Sequence, residues 1–200
     1  FLDGKEITNL SPKKVRAVGL AHIPEDRNTR GLNRTMSIEE NLVAVEVDKA
    51  PYSKGMVMNS PAVDKHAEEM VKLFDIRPTD YKLPTSSLSG GNAQKVVVAR
   101  EVSMNKKLLV AAQPTRGVDI GAIESIQKTL EEAKKNGAGV LLVSTELEEI
   151  TSLSDRIIVI HEGKITGELS AGEANENNLG LLMMGGSVEK KLEKEGEAHE

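Results

Sequence analysis

The stretch of this chain best suited to chemistry is Leu88-Ser89-Gly90-Gly91-Asn92-Ala93-Gln94-Lys95. Turn-forming residues precede it, and a helical run follows that is expected to end near Met104. Ser89 is a natural N-cap, and the two glycines let a ligand approach the backbone closely. The first turn of a helix carries unpaired N–H groups and a partial positive charge, which together favour a phosphate. The same residues also describe an ordinary Ser-capped helix start, so the rest of the chain must decide between the two readings.

With 200 residues the chain can form one domain with a real core and a small subdomain. It is 38% hydrophobic but only 2% aromatic, with no Trp, so the core must be built from Val, Leu, Ile, Met and Ala. The formal net charge is -5 and basic residues form no long block, which argues against nucleic acid as the main partner. The absence of Cys excludes a disulfide framework and thiol chemistry, and fits a reducing cytosol. No apolar run approaches a membrane span and no signal peptide is visible, so membrane association is expected only through a partner protein. The chain begins with Phe1 in what reads as mid-strand, and is therefore expected to be a fragment of a longer protein.

The elements that must position the Ser89 stretch follow from local signals. Ser11-Pro12 opens a short helix to about Ala17. A short buried strand is predicted over residues 18–23, ended by Pro24 and followed by a charged loop at 25–31. Ser37 and Glu40 form a capping box, with Ile38, Leu42 and Val45 at helical spacing. Pro61 opens a second helix, with Val63, Ala67, Met70, Val71 and Phe74 on its apolar face. Residues 37–87 thus read as an all-helical insertion. Beyond it, 108–112 and 140–143 are short apolar runs of the kind buried on both faces of a parallel sheet. Between them, Ile123, Ile126, Leu130 and Ala133 lie on one helix face that ends at Asn136-Gly137. Thr145 and Glu148 read as another capping box, before a hairpin that turns at Glu162-Gly163 and a last short helix over 176–184. From Ser187 the chain is a charged, solvated tail. The fold class is α/β, with a mostly parallel sheet and an inserted α-helical subdomain.

The order of these segments resembles the nucleotide-binding domain of ABC transporters, a P-loop NTPase-like fold. The closest likeness is to the second of two fused domains in the ATPase subunits of simple-sugar and nucleoside importers. The residues that carry it are Ile23-Pro24-Glu25-Asp26-Arg27, the run from Leu88 to Lys95, Pro114-Thr115-Arg116-Gly117-Val118-Asp119, and Ser154-Asp155-Arg156. The resemblance covers residues 1–186, with the helical subdomain over about 37–104 and the tail at 187–200. It implies that Ser89, Gly90, Gly91, Asn92 and Gln94 form the signature that closes over an ATP phosphate held by an opposite domain. Glu25 takes the position of a usual Gln that serves Mg²⁺; it either approaches the metal or stands as an unpaired, solvated carboxylate. Asp119 matches a loop along the domain interface, and also reads as an N-cap.

The departures from the family are as informative as the matches. The phosphate-binding loop G-x-x-x-x-G-K-S/T is absent; Gly4-Lys5 and Gly163-Lys164 each sit in a predicted turn. In the family that loop lies upstream of the segment matching Phe1, so truncation is the expected reason. The strand over 108–112 should end in a metal-supporting Asp followed by a Glu, but Ala112 and Gln113 stand there. Alanine offers the metal's hydration shell no oxygen, and losing a general base costs about 10²–10⁴ in rate. The switch histidine is matched by Thr145. ATP and Mg²⁺ are therefore expected to be held mainly by the partner domain, with no catalytic residue intact here and the isolated fragment inactive.

The resemblance further implies a peripheral place on the cytoplasmic face of the cell membrane. Its implied partners are a first ATP-binding domain or a second copy, membrane permease subunits and, indirectly, a solute-binding protein. Two other readings remain open. One is a non-transport ABC-type ATPase, which normally shows a basic linker or a long coiled coil. The other is a non-hydrolysing regulatory nucleotide-binding module. The transported solute cannot be read from this chain, although the run 111–117 leans towards the nucleoside branch.

Overall fold

The computed structural model describes residues 1–103 and 106–188. The predicted helix end at Met104 and nearly all of the charged tail lie outside these residues. The chain divides into two compact units, Phe1–Ser144 and one that begins at Thr145.

The first unit opens with a tight turn at Asp3-Gly4, closed by a bridge between Leu2 and Lys5. Helix α1 (Pro12–Val18) starts on proline, whose fixed φ suits the first helical turn, and ends on Gly19 at φ +117°. Strand β1 (Leu20–Ile23) then enters the sheet, and Pro24 follows it. Helix α2 (Ile38–Val43) has the predicted capping box, Ser37 accepting from Glu40 N while the Glu40 carboxylate accepts from Ser37 N. It ends before Val45, so its buried side chains are Ile38, Asn41, Leu42 and Val43.

The insertion is not wholly helical. Strands β2 (Ser53–Lys54) and β3 (Val57–Met58) form a small antiparallel hairpin. Helix α3 (Ser60–Leu73) buries Val63, Ala67, Met70 and Val71, as its spacing predicts, and stops at Phe74. Helix α4 (Gly90–Val102) begins at Ser89 and is buried along most of its length, including Val96, Val97, Val98 and Ala99.

Strand β4 (Leu108–Ala112) leads through helix α5 (Ile120–Lys135) to strand β5 (Gly139–Val143). The three strands are parallel in the order β1-β4-β5, with Leu20 opposite Leu108 and Leu108 opposite Gly139. Central β4 buries Leu109 and Ala111, as expected for a strand covered by helices. The expectation for β5 needs correction. Among the described residues it is an edge strand, and Leu141 and Val143 are 53% and 51% exposed. An apolar run looks alike in a central and an edge strand, because burial depends on which neighbours pair with it.

The second unit starts with helix α6 (Leu147–Leu153), whose N-cap position is Glu146 rather than Thr145. Strands β6 (Arg156–His161) and β7 (Lys164–Ser170) form the predicted hairpin. Glu162 and Gly163 both take positive φ, +47° and +75°, as a two-residue turn matched to strand twist requires. Helix α7 (Glu176–Met183) closes a core of Ile157, Val159, Leu169, Leu179 and Leu182.

The first unit is tied together by a buried charge. Glu101 on α4 is fully buried and accepts from Arg16 on α1 at 2.7 and 3.2 Å, Arg100 at 3.0 Å and His22 N at 3.1 Å. Arg100, 5% exposed, also donates to Gly31 O at 2.8 Å. Burial pushes the Glu101 carboxyl up, but Arg16 and Arg100 outweigh it and hold the group below the ordinary glutamate range. The unfolded chain therefore takes up this proton first. The stabilisation is intact above the ordinary range and is lost as pH falls through the depressed value. Glu101→Gln should cost about 3–5 kcal/mol, because it strands two arginines around a neutral amide. Urea unfolding at neutral pH measures that loss, and the variant should show a shallower decline in stability on acidification.

Candidate functional site

The residues with chemical promise gather at the carboxyl end of the sheet, the end at which open α/β sheets bind ligands. Glu25 follows β1, and Ala112 and Gln113 end β4. Gln113 takes φ +48°, unusual for a residue with a side chain, and its N–H donates to Val143 O at 2.7 Å. This bond pins the turn after β4 against the end of β5. A recess of about 680 Å³ in the first unit lies at the other end, against Lys106, Lys107 and residues 136–138. It contains none of the candidate residues. A second cleft, about 480 Å³, is lined by Glu25, Asp26, Arg27, Asn28, Arg116 and Gly117.

At the start of α4, Ser89 is exposed and caps the helix. Its Oγ accepts from Asn92 N at 3.4 Å and from Asn92 Nδ2 at 3.0 Å. With both lone pairs engaged by Asn92, the Ser89 hydroxyl hydrogen is left to donate outward. Asn92 is held in turn by its Oδ1, which accepts from Arg77 N at 2.7 Å. Ser89, Gly90 and Gly91 thus present a hydroxyl and the unpaired N–H groups of a helix start on one turn, an arrangement fit for an anion.

Gln94 departs from expectation. It is 2% exposed, and its Nε2 donates to Pro114 O at 2.7 Å. Its amide is a strut between α4 and the loop after β4, one turn along the helix from Ser89, Gly90 and Gly91. Sequence spacing could not separate the two roles, since both place Gln94 near the helix start.

Both glycines of the turn are required by close neighbours. A Cβ on Gly91 would stand 2.6 Å from Asp119 Oδ2 and 3.1 Å from Ala122 Cβ. A Cβ on Gly90 would stand 2.7 Å from Arg27 Nη2 and 3.0 Å from Gly117 O. Asp119 caps α5, its Oδ1 accepting from Ala122 N at 3.0 Å, and its other oxygen faces the turn. Glu25 and Arg116, both exposed, form an ion pair, so Glu25 faces solvent but is not unpaired. Asp26 accepts from Asn28 N, Thr29 N and Thr29 Oγ1, and these bonds hold its carboxyl below the usual aspartate range. Thr145 is exposed and belongs to the second unit. Among the described residues, no group of three or more His, Asp or Glu is placed to hold a metal ion. Arg27 reads in the sequence as one charge of the motif after β1, and only the fold brings it against the 114–119 loop and Gly90.

Residues 1–116 match the family described as ABC transporter. The chain belongs to the ABC transporter family. It is 43% identical over 187 residues to the nucleoside import ATP-binding protein NupA of Lactococcus lactis subsp. cremoris. That match covers 94% of this chain and 37% of the relative. It is 46% identical over 184 residues to the guanosine import ATP-binding protein NupO of Bacillus subtilis, covering 92% of this chain and 36% of the relative. The chain therefore spans little more than a third of the length of these curated relatives. The structure is similar to the ATP-binding cassette MJ0796 in its dimeric, post-hydrolysis state bound to ADP and Pi, with a TM-score of 0.71 and 21% identity. The likeness covers 86% of this chain and 72% of that one, and establishes the ABC ATPase fold.

Gly91→Ala should destabilise the first unit by about 1–3 kcal/mol, the usual cost of forcing an atom into a packed contact. Asp119→Ser keeps a capping oxygen on a shorter side chain and should return part of that loss. Denaturant unfolding of the single and double variants measures the coupling, and strict additivity would count against the contact.

Proposed function

We propose that this chain is the second of two fused ATP-binding domains in the ATPase subunit of an importer for simple sugars or nucleosides. The domain occupies 1–186, with its helical subdomain over about 37–104 and its tail at 187–200. The names of NupA and NupO favour a nucleoside over a sugar as the solute. The observation that carries the reading is an asymmetry between two parts of one domain. Ser89, Gly90 and Gly91 form an ordered, donor-rich turn, while β4 ends in Ala112 and Gln113.

The residues on this domain's own side do not fit Mg²⁺ or a general base. Ala112 has no side-chain oxygen, Gln113 carries a neutral amide, and Glu25 is ion-paired with Arg116 at the surface. The Ser89 turn, by contrast, fits a phosphate brought to it from outside. ATP held by the first domain, with its Mg²⁺, supplies the γ-phosphoryl group that is hydrolysed. Ser89 donates its hydroxyl to that group, the N–H groups of the helix start add to it, and Asn92 keeps the hydroxyl aimed. Such preorganised donors act where charge develops in the transition state. Asp119, beside the same turn, lies along the interface with the first domain. Hydrolysis is then a property of the whole ATPase, and closure of the two domains is passed to the permease subunits through the helical insertion. The solute-binding protein acts on the other side of the permease. Among the described residues no helix is long and apolar enough to cross a membrane, which accords with attachment to the cytoplasmic face through the permease.

In the full-length ATPase, Ser89→Arg should lower hydrolysis by about 10²-fold or more, the scale seen when one transition-state donor is lost. Gln113→Ala should leave it near wild type. The purified 200-residue chain should show no Mg²⁺-dependent ATP turnover in a phosphate-release assay. Turnover by that chain, or equal damage from the Gln113 and Ser89 changes, would overturn the assignment.

A further inference from the structure

We infer that Arg27 is a positioning residue through which the loop after β1 sets the place of Gly90 in the signature turn. The inference rests on the proposed role of that turn in binding a phosphate held by the partner domain. Arg27 opens a single π-helical turn, Arg27–Gly31, which Asp26 caps through Asn28 N at 2.9 Å and Thr29 N at 3.3 Å. The backbone around Arg27 is therefore fixed from its own side.

Its guanidinium reaches a loop 90 residues further along the chain. Nη1 donates to Arg116 O at 2.8 Å and Nη2 to Gly117 O at 3.0 Å. A planar fork bridging two successive carbonyls fixes both the position and the direction of that loop, which a point charge on a flexible stem cannot do. Gly117 takes φ +66°, a conformation that side chains rarely adopt.

The third element at this point is the signature turn. The site of a Cβ on Gly90 is 2.7 Å from Arg27 Nη2 and 3.0 Å from the same Gly117 oxygen that Nη2 binds. Gly90 thus rests directly on the Arg27–Gly117 hydrogen bond, with no side chain between them. Arg27 Nε is buried and has no hydrogen-bond partner. An unsatisfied buried donor costs about 1–3 kcal/mol, and here it belongs to a half-buried side chain whose guanidinium lines the cleft while bridging to the 114–119 loop. The 114–119 loop also carries Asp119, which faces Gly91. A displacement of the loop after β1 moves Arg27, and through it the floor beneath Gly90 and the segment leading to Asp119.

This arrangement sets the turn on the γ-phosphate without touching the nucleotide, so its loss should appear in kcat rather than in ATP affinity. In the full-length ATPase, Arg27→Lys should lower kcat about tenfold, the scale of one lost charge-assisted hydrogen bond. The KM for ATP should stay near wild type, and the variant should remain folded at the assay temperature. Gly90→Ala, which pushes the guanidinium aside, supplies the second arm. The double variant should be no slower than Gly90→Ala alone, because both changes break one contact.

The inference is overturned if Arg27→Lys keeps wild-type kcat, or if KM rises while kcat holds. It is equally overturned if the two losses multiply, or if the loss of activity tracks a loss of folded protein. Ser89→Arg in the same assay separates this inference from the reading beneath it. If that variant still hydrolyses ATP, the signature reading fails; if only Arg27→Lys is silent, Arg27 alone has been misassigned.

Discussion

The first unit depends on a carboxylate that no water reaches. Glu101 gathers α1, β1 and α4 around one point through Arg16, His22 N and Arg100. Ionic groups are expensive to bury, and such a pair stabilises only when nearly every lone pair and donor is satisfied. Here Arg100 extends the set to Gly31 O, at the end of the loop after β1. Helix α4 is consequently placed by directional bonds at one end and by apolar packing along its length. Its N-terminus, which carries Ser89, inherits that placement.

A few residues at the other end of α4 complete it. Gln94 ties the helix to Pro114, while Arg27 and Asp119 press against Gly90 and Gly91. The turn is held from below by three side chains belonging to three different segments. Rigid support of this kind lets a site built from backbone N–H groups act without reorganising when a ligand arrives.

What the amino-acid sequence disclosed was local. The capping box of Ser37 and Glu40, the N-caps at Ser89 and Asp119, and the turn at Glu162-Gly163 each depend on residues within a few positions. The parallel strands were legible from apolar runs between helical patterns. What escaped was set by distant partners. The same apolar texture that buries β4 leaves Leu141 and Val143 of β5 open, because β5 has a paired strand on one side alone among the described residues. Gln94 is polar and close to the site in sequence, yet it points at Pro114, 20 positions away. Arg27 reads as one charge in a charged loop until the fold brings Gly117 and Gly90 beside it. The hairpin of β2 and β3 has only two residues per strand, too few for any alternation to register.

The free side of β5 has its own consequence. Among the described residues β5 is paired on one side alone, so its other side offers N–H and C=O groups to a further strand, and Leu141 and Val143 stand exposed on a face of the sheet beside that edge. Such a ladder accepts a further strand from any polypeptide that can present one, another copy of this chain included. Among the described residues, the order β1-β4-β5 therefore leaves the β5 side of the sheet as a place where a further strand can pair.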